Sequence, residues 1–281
     1  MTTRTIAKTY PGTPSVDGAG VSLNRIIGHA DVQDLDPFLL LDFFDSRDPE
    51  DYRRGFPWHP HRGIETITYL VDGLIEHGDS LGNKGVIRPA GCQWMTAGSG
   101  IIHQEMPQPV EHMLGAQLWL NLPAAHKMTG PAYRDITAKD LAIFEDDQLL
   151  VKVIAGSFKG KQGPVSGTYV DPVYMDVAIK AGGCFEQNLP ETETAFLLIL
   201  EGEVQFQDGQ AVSESDAKGV LLTSGGQVVI GSENGARFLF IAGRPLHDPV
   251  AWGGPIVMNT REELSLAFKE LDAGTFIKHN K

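Results

Sequence analysis

The sequence predicts an all-β fold arranged as two tandem domains, with a helix at the C-terminal end. Three observations support this prediction. The chain of 281 residues is rich in turn-forming residues, with 32 glycines and 17 prolines. Short runs of apolar and β-branched residues recur between these turns. The same order of such runs appears twice along the chain. Hydrophobic residues make up 42% of the chain, which is enough to bury a sizeable core.

The composition excludes several classes of function. The chain has 36 acidic and 23 basic side chains and a formal charge of −13, so we expect no direct contact with nucleic acid. We find no run of about 18 apolar residues and no apolar stretch near the start, so we expect neither a membrane span nor a signal peptide. Only Cys92 and Cys184 are present, which excludes a disulfide framework and favours the cytoplasm. We expect a monomer.

The nine histidines are unevenly placed. Five lie between residues 59 and 112, and none lies between 127 and 246. Histidine is the commonest metal ligand and the usual acid-base group near neutral pH, so this region is where we expect chemistry. His59 and His61 are separated by one residue and precede a run that is typical of a strand. Side chains at i and i+2 of a strand point to the same face, so the two imidazoles are predicted to form a pincer.

A second pair of candidate ligands, His103 and Glu105, has the same spacing. Two such strands facing each other across a barrel interior would direct three imidazoles and one carboxylate to one ion, although spacing alone does not establish that they face each other. We expect no ligand at three other positions. Glu65 is interpreted as an outer partner of the site or a solvated side chain, His77 is expected on the outward or rim part of a hairpin, and His112 follows a Pro-rich loop.

An internal repeat is the second strong signal. Residues 69–79 resemble residues 198–208, and each segment consists of a strand, an acidic-Gly turn and an alternating strand, which predicts a β-hairpin. Residues 85–93 resemble residues 219–227 in the same order. One such match could arise by chance, but two in the same order indicate two related β-domains. The second copy falls where no histidine occurs, so we expect it to pack, to close the site or to present a partner surface.

The C-terminal tail predicts a helix. Thr260 and Glu263 form a capping box, and Gly274 is a fitting end. The apolar residues between them lie on one helical face, at positions 264, 267, 268 and 271. We expect this helix to lie on the second domain. With residues 123–135 as the linker, the predicted domains are 1–132, which binds metal, and 133–281, which has no metal ligands.

Three motifs closely resemble the pirin family. The first runs from His59 to Tyr69 as His-Pro-His-Arg-Gly-x-Glu-Thr-x-Thr-Tyr. The second runs from Gln93 to Pro107 as Gln-Trp-Met-Thr-Ala-Gly-x-Gly-Ile-x-His-x-Glu-Met-Pro, and the third, beginning at Gln117, is Gln-Leu-Trp-x-Asn-Leu. Segments 36–42 and 254–260 are also similar, so the resemblance covers essentially the whole chain.

The resemblance implies a bicupin. Such a protein has two cupin domains, each a β-sandwich or jelly-roll barrel, with one mononuclear metal, usually iron, in the N-terminal domain. By motif match the metal ligands are His59, His61, His103 and Glu105, the same set that the two pincers select. The same donors would also accept Zn, Mn, Ni or Cu.

The implied activity is that of a quercetin 2,3-dioxygenase, which opens a flavonol ring with dioxygen and releases carbon monoxide. Glu105 would then be both a ligand of Fe(II) and the general base that takes the proton of the flavonol hydroxyl. Candidates for the apolar wall of the substrate pocket are Phe43, Trp58, Trp94 and Met95.

The sequence is also compatible with two other functions. Trp58, Asn83 and Ser99 stand where mammalian-type pirins are expected to have aspartate, histidine and arginine, so the choice of substrate does not carry over. The alternative is an iron- and redox-dependent regulatory protein that binds a transcription regulator or a metabolic enzyme. A structural cupin with an adventitious metal ranks last, because all four ligand residues are present.

Overall fold

The computed structural model describes residues 2–279, whose contacts group into two compact units. The histidine unit consists of Thr13–Asp34, Phe38–Lys139 and the residues from Leu246 onward. The repeat unit consists of residues 2–12, Leu35–Pro37 and Asp140–Pro245. All nine histidines belong to the histidine unit.

Within residues 2–279 almost all regular structure is strand, which confirms the all-β prediction. The strands are β1 (Ile6–Tyr10), β2 (Thr13–Asp17), β3 (Val21–Ile27), β4 (Phe38–Ser46), β5 (Phe56–His61), β6 (Ile64–Asp72), β7 (Ile75–Asp79), β8 (Lys84–Ile87), β9 (Cys92–Thr96), β10 (Ile101–Pro107), β11 (Met113–Asn121), β12 (Ala132–Ile136), β13 (Ala142–Glu145), β14 (Leu149–Ala155), β15 (Ser157–Phe158), β16 (Lys161–Gln162), β17 (Val173–Ile179), β18 (Gly183–Asn188), β19 (Thr194–Phe206), β20 (Ala211–Ser213), β21 (Gly219–Leu222), β22 (Gln227–Ser232), β23 (Ala236–Gly243), β24 (Ala251–Gly253) and β25 (Ile256–Met258). The helices are α1 (Val32–Leu35) and α2 (Arg261–Asp272), with 3₁₀ turns at His29–Asp31, Pro49–Asp51 and Ala124–His126. Neither α-helix is long and apolar enough to cross a membrane.

The histidine unit contains two antiparallel sheets and a short hairpin. The larger sheet has the order β12-β9-β6-β11-β4-β3-β2, the smaller has the order β5-β10-β7-β8, and β24 pairs with β25. Apolar side chains from both sheets share one core: Leu70 of the larger sheet packs with Ile75 and Ile87 of the smaller. This shared core holds the two sheets together as one β-body.

The repeat unit has the same strand order in its main sheet. The path β1-β21-β19-β23-β17-β14-β13 corresponds position by position to the path of the larger sheet in the histidine unit. Its core is apolar and rich in aromatic rings, with Phe158 stacked on Phe185 at 5.3 Å between ring centroids. The shared order supports the two related β-domains predicted from the repeat. It also explains why residues 2–12 group with the repeat unit, since β1 fills the edge position that β12 fills in the histidine unit.

The predicted hairpins are wrong in both copies. After the Asp72-Gly73 step the chain leaves β6, which pairs with β9 and β11, and enters β7, which pairs with β10 and β8 in the smaller sheet. At the matching Glu201-Gly202 step, β19 passes from its pairing with β21 and β23 to a pairing with β20 and β22. Both glycines have positive φ, of 121° and 79°. Each step is therefore a crossing between sheets rather than a reversal within one sheet.

The C-terminal helix also differs from its prediction. Its capping box is confirmed, because the Thr260 hydroxyl accepts a hydrogen bond from the Glu263 N–H. However, α2 contacts β24 and β25 and belongs to the histidine unit rather than to the second domain. The predicted linker is likewise part of that unit, because β12 pairs with β9 in the larger sheet. By contacts the chain passes to the repeat unit between Lys139 and Asp140.

Gly63 lies at the closest approach of the C-terminal segment to the end of β5. Its φ is 79°, and a Cβ at this position would overlap the carbonyl oxygen of Val257. We predict that Gly63→Ala lowers the free energy of unfolding by about 2–4 kcal/mol, because backbone strain and overlap add. The matched control is Gly274→Ala, where φ is 70° with no atom within 4 Å and the expected loss is about 1 kcal/mol. Equal losses in urea denaturation would contradict the close approach.

Candidate metal centre

Two neighbouring strands bring three histidines together. β10 pairs with β5 in antiparallel register, with His103 opposite His59 and Ile101 opposite His61. The three imidazoles offer ring nitrogens that all lie within 4.8 Å of one another. The strands are therefore neighbours in one sheet and do not face each other across the interior. The i, i+2 spacing nevertheless directs both histidines of β5 toward the same point as His103.

Two backbone carbonyls determine the orientation of the β5 imidazoles. His59 Nδ1 lies 2.9 Å from the carbonyl oxygen of Pro57, and His61 Nδ1 lies 3.0 Å from that of Pro255. A carbonyl oxygen can only accept, so each Nδ1 donates and each ring turns its Nε2 toward the other ring. These two Nε2 atoms are 3.0 Å apart. Two Nε2 atoms at this spacing are close enough to bind one cation together.

His103 supplies the third nitrogen and is buried. Among residues 2–279 neither of its ring nitrogens has a hydrogen-bond partner. Burial lowers its pKa well below the ordinary value, and the neighbouring imidazoles lower it further. Burial, with a further contribution from His59, lowers the pKa of His61 to about 3. Both rings are therefore neutral near pH 7, which is the form that ligates a transition metal, so the residues present fit such an ion.

Glu105 lies on the same buried face of β10 as His103, but its carboxylate makes other contacts. The Thr68 hydroxyl donates to Oε1 at 2.8 Å, and the Gln117 amide donates to Oε2 at 2.7 Å. The pairing of β10 with β5 shifts register between His103 and Glu105. Glu105 is not among the residues whose ligand atoms lie within 4.8 Å of one another. Its place as the fourth ligand therefore stays a prediction.

Two other residues of the region, neither of them expected to ligate a metal, are buried. Glu65 is buried and accepts hydrogen bonds from the Thr96 hydroxyl at 2.6 Å and the Trp94 indole at 3.2 Å. It is thus neither solvated nor grouped with the three imidazoles. His77 is also buried rather than on an outward rim, because it alternates inward with Ile75 along β7.

The C-terminal segment fixes the end of β5. Arg62 is buried between Gly63 and His61, which bonds Pro255. Its guanidinium group forms an ion pair with Glu270 at 2.7 Å and donates to the Phe276 carbonyl oxygen at 2.8 Å. Sequence reasoning missed these partners. They lie about 200 residues away along the chain, and no local pattern connects them with β5.

Lys127 ties the next residue to the same segment. Its buried ammonium group donates to the carbonyl oxygens of Gly63 and Val257 and to the side chain of Asn121. Burial lowers the pKa of Lys127 to about 7. The linker predicted at 123–135 therefore contains a residue that supports the metal-binding strand.

A cavity of about 620 Å³ opens beside the imidazoles. His59 and His61 form part of its wall, and Trp119 packs edge-on against His61 with ring centroids 5.0 Å apart. The other lining residues are Asp17, Gly18, Ala19, Arg25, His29, Leu40, Asp42, Phe56, Pro57, Gln117, Trp252, Gly254 and Pro255.

The residues expected in the pocket wall do not line this cavity. Trp94 and Met95 are buried in the core, as is Phe43, whereas Trp58 is 54% exposed. The aromatic wall instead comes from Trp119 on β11 and Trp252 on β24. Trp119 could have been predicted as a wall residue, because it lies in the motif that begins at Gln117. Trp252 lies outside every motif, so the sequence offered no signal for it. The arrangement combines a metal-ligating set with a space that suits a flat aromatic molecule.

Comparison with known proteins agrees with this architecture. Residues 20–120 match the Pirin family model, and residues 174–277 match the model of the Pirin C-terminal cupin domain. The chain is 44% identical over 279 residues to a pirin-like protein of Caulobacter vibrioides, covering 98% of this chain and 100% of that one. It is 39% identical over 258 residues to Pirin-1 of Arabidopsis thaliana, covering 90% and 88%.

A solved structure shows the same fold. The crystal structure of a quercetin 2,3-dioxygenase from Acinetobacter baumannii superposes with a TM-score of 0.89 at 31% identity, covering 98% of this chain and 99% of that one. Family models match both halves of the chain, and relatives above 30% identity extend over nearly all of it. The protein therefore belongs to the pirin family and consists of two cupin domains.

Proposed function

We propose that this protein is a mononuclear iron dioxygenase that opens flavonols of the quercetin type. The observation that carries the proposal is the grouping of His59, His61 and His103, with the Nε2 atoms of the first two 3.0 Å apart at the wall of an aromatic-lined cavity. The similarity to the quercetin 2,3-dioxygenase of Acinetobacter baumannii supports the choice of substrate. The cavity volume of about 620 Å³ is within the range of sites for small organic ligands.

The three histidines and Glu105 would hold the metal. Three imidazoles with one carboxylate suit Fe(II) and leave room for other ligands in an octahedral set. When bound, the iron supplies Lewis-acid and dioxygen chemistry at the cavity wall. The protein determines the orientation of two rings through Pro57 and Pro255. It also excludes water from His103 by burial.

Glu105 would also act as the base for the substrate. A carboxylate can take the proton of the flavonol hydroxyl, whereas a ring nitrogen that binds a metal has no free lone pair there. Thr68 and Gln117 each donate to one carboxylate oxygen, so both oxygens are oriented before substrate arrives. Removal of this proton makes the flavonol ring electron-rich, which favours its reaction with dioxygen, ring opening and release of carbon monoxide.

Metal binding is expected to depend on each proposed ligand. Alanine in place of His59, His61 or His103 should in each case lower Fe(II) affinity by more than about 100-fold. Loss of a residue that only hydrogen-bonds a metal ligand costs up to about 100-fold, and loss of the ligand itself should cost more. Glu105→Ala should also lower it. Elemental analysis after dialysis against a chelator series gives the occupancy.

Two matched controls accompany these variants. His126→Ala removes an exposed histidine, and Glu65→Gln changes a buried carboxylate that already has two partners, so both should keep full occupancy. Full occupancy in Glu105→Ala would refute its assignment as a ligand and leave it as a base only.

Turnover is the second expected property of the loaded protein. Fe(II)-loaded protein mixed anaerobically with quercetin should, once air is admitted, consume dioxygen and release carbon monoxide in equal amounts. An oxygen electrode and a carbon monoxide assay follow the reaction, while loss of flavonol absorbance reports the substrate. Protein that holds iron stoichiometrically but leaves the flavonol intact would overturn the dioxygenase and favour a regulatory role.

A further inference from the structure

A charged cluster lines the cavity away from the imidazoles. Arg25 on β3 donates from Nε and Nη2 to the two carboxylate oxygens of Asp42 at 2.8 Å each, and from Nη2 to Asp17 at 2.7 Å. The three side chains form a gradient of exposure, with Asp42 at 6%, Arg25 at 31% and Asp17 at 51%. The cluster is therefore anchored at its buried end and open to the cavity at the other.

The sheet register places this cluster close to the metal centre. Arg25 lies opposite Asp42, and Asp42 lies opposite Gln117, the residue that donates to Glu105. Directly paired residues share a face, so the cluster and Gln117 point to the same side of the sheet. Two strand spacings, about 10 Å, separate Arg25 from Gln117. One elongated ligand can therefore touch both ends.

The Arg25 guanidinium group is held in place by its two aspartate partners and keeps one nitrogen, Nη1, available for a ligand. Its bonds to Asp42 and Asp17 use Nε and Nη2, and Nη1 donates to no side chain or carbonyl among residues 2–279. Asp17 accepts through Oδ1 from the Gly18 N–H at 2.7 Å and remains half exposed. A ligand thus meets a free donor and an accessible carboxylate side by side.

A series of aromatic rings follows the wall of the cavity from the imidazoles. Trp119 packs against His61, Trp252 lies 5.8 Å from Trp119, and His29 lies 5.0 Å from Trp252, measured between ring centroids. All four rings line the cavity. Such a wall suits a flat aromatic ligand that extends from the imidazoles toward the charged cluster.

The fold itself does not require the charged cluster. In the repeat unit the corresponding strands are β14 and β17, where Val153 lies opposite Met175, and Met175 lies opposite Phe240. These side chains are fully buried. The same sheet positions are thus filled by apolar residues in the repeat unit. At these positions a buried aspartate with its arginine occurs only in the copy with the cavity.

We propose that Arg25 and Asp17 recognise a catechol ring, two neighbouring hydroxyls on a flat aromatic ligand whose other end reaches the imidazoles. One hydroxyl accepts from Arg25 Nη1 and the other donates to Asp17. This inference rests on the proposed function and names the part of the flavonol that the cavity selects. Arg25 and Asp17 would be specificity determinants that leave the reacting end of the substrate untouched.

The test compares three flavonols that differ only in the pendant ring: quercetin with a catechol, kaempferol with one hydroxyl and galangin with none. Zn(II)-loaded protein prevents turnover, and isothermal titration gives each affinity. Quercetin should bind about tenfold more tightly than galangin, as expected for new hydrogen bonds to charged groups. Kaempferol should fall between them.

The variants assign the preference to residues. Asp17→Asn and Arg25→Lys should bring the affinities for quercetin and galangin together while galangin binding stays as in the unaltered protein. The matched control is Asp45→Asn, an exposed aspartate on β4 that bonds His112 and does not line the cavity. It should keep the full preference. Asp17 is half exposed, so its variant should fold, and the thermal midpoint checks this.

The outcomes separate this inference from the proposed function. A preference that disappears in Asp17→Asn but not in Asp45→Asn supports catechol recognition. Equal binding of the three flavonols, or a preference that survives both cluster variants, overturns it while leaving a flavonol site at the metal. Metal-loaded protein that binds none of the three flavonols overturns the proposed function and the catechol site with it.

Discussion

The site in the histidine unit depends on the close approach of two imidazoles, with the Nε2 atoms of His59 and His61 3.0 Å apart. Hydrogen bonds from the Nδ1 atoms of the two rings to the carbonyl oxygens of Pro57 and Pro255 direct both Nε2 atoms to the same point. A site kept in this state before metal arrives has little left to reorganise on binding, which is the general source of tight and selective coordination.

This constraint explains the position of the C-terminal segment. The acceptor for His61 is the carbonyl oxygen of Pro255, which directly precedes β25, so β25 must pack beside the end of β5 within the histidine unit. Arg62 then requires compensation, because a buried guanidinium without partners is strongly destabilising. Glu270 on α2 and the Phe276 carbonyl oxygen supply it. Helix α2 therefore lies in the histidine unit, where it supplies a partner for Arg62, although it comes after the repeat unit in the sequence.

Much of the site was predictable from local spacing, and its surroundings were not. Period-two alternation placed His59 with His61, because the geometry of a strand determines which side chains share a face. The same rule placed Glu105 beside His103. Spacing carries no information on which strand is the neighbour, so β5 and β10 were expected to face each other and instead pair.

Long-range contacts account for the other errors. Gly73 and Gly202 both adopt positive φ, but neither is a hairpin turn, and Gly202 lies inside the continuous strand β19. Whether the chain reverses at such a step or crosses to other strands depends on partners far away in sequence.

The difference between the two units shows what function requires of this sheet. Thr68 and Gln117, which lie opposite each other and hold Glu105, correspond by strand order and register to Leu197 and Phe240. The apolar pair packs without any polar group to satisfy, whereas the polar pair is stable only because each group finds a partner. A sheet selected for stability alone would adopt the apolar pair in both copies. The polar pair occurs where it donates to both carboxylate oxygens of Glu105, so its hydrogen bonds orient that carboxylate.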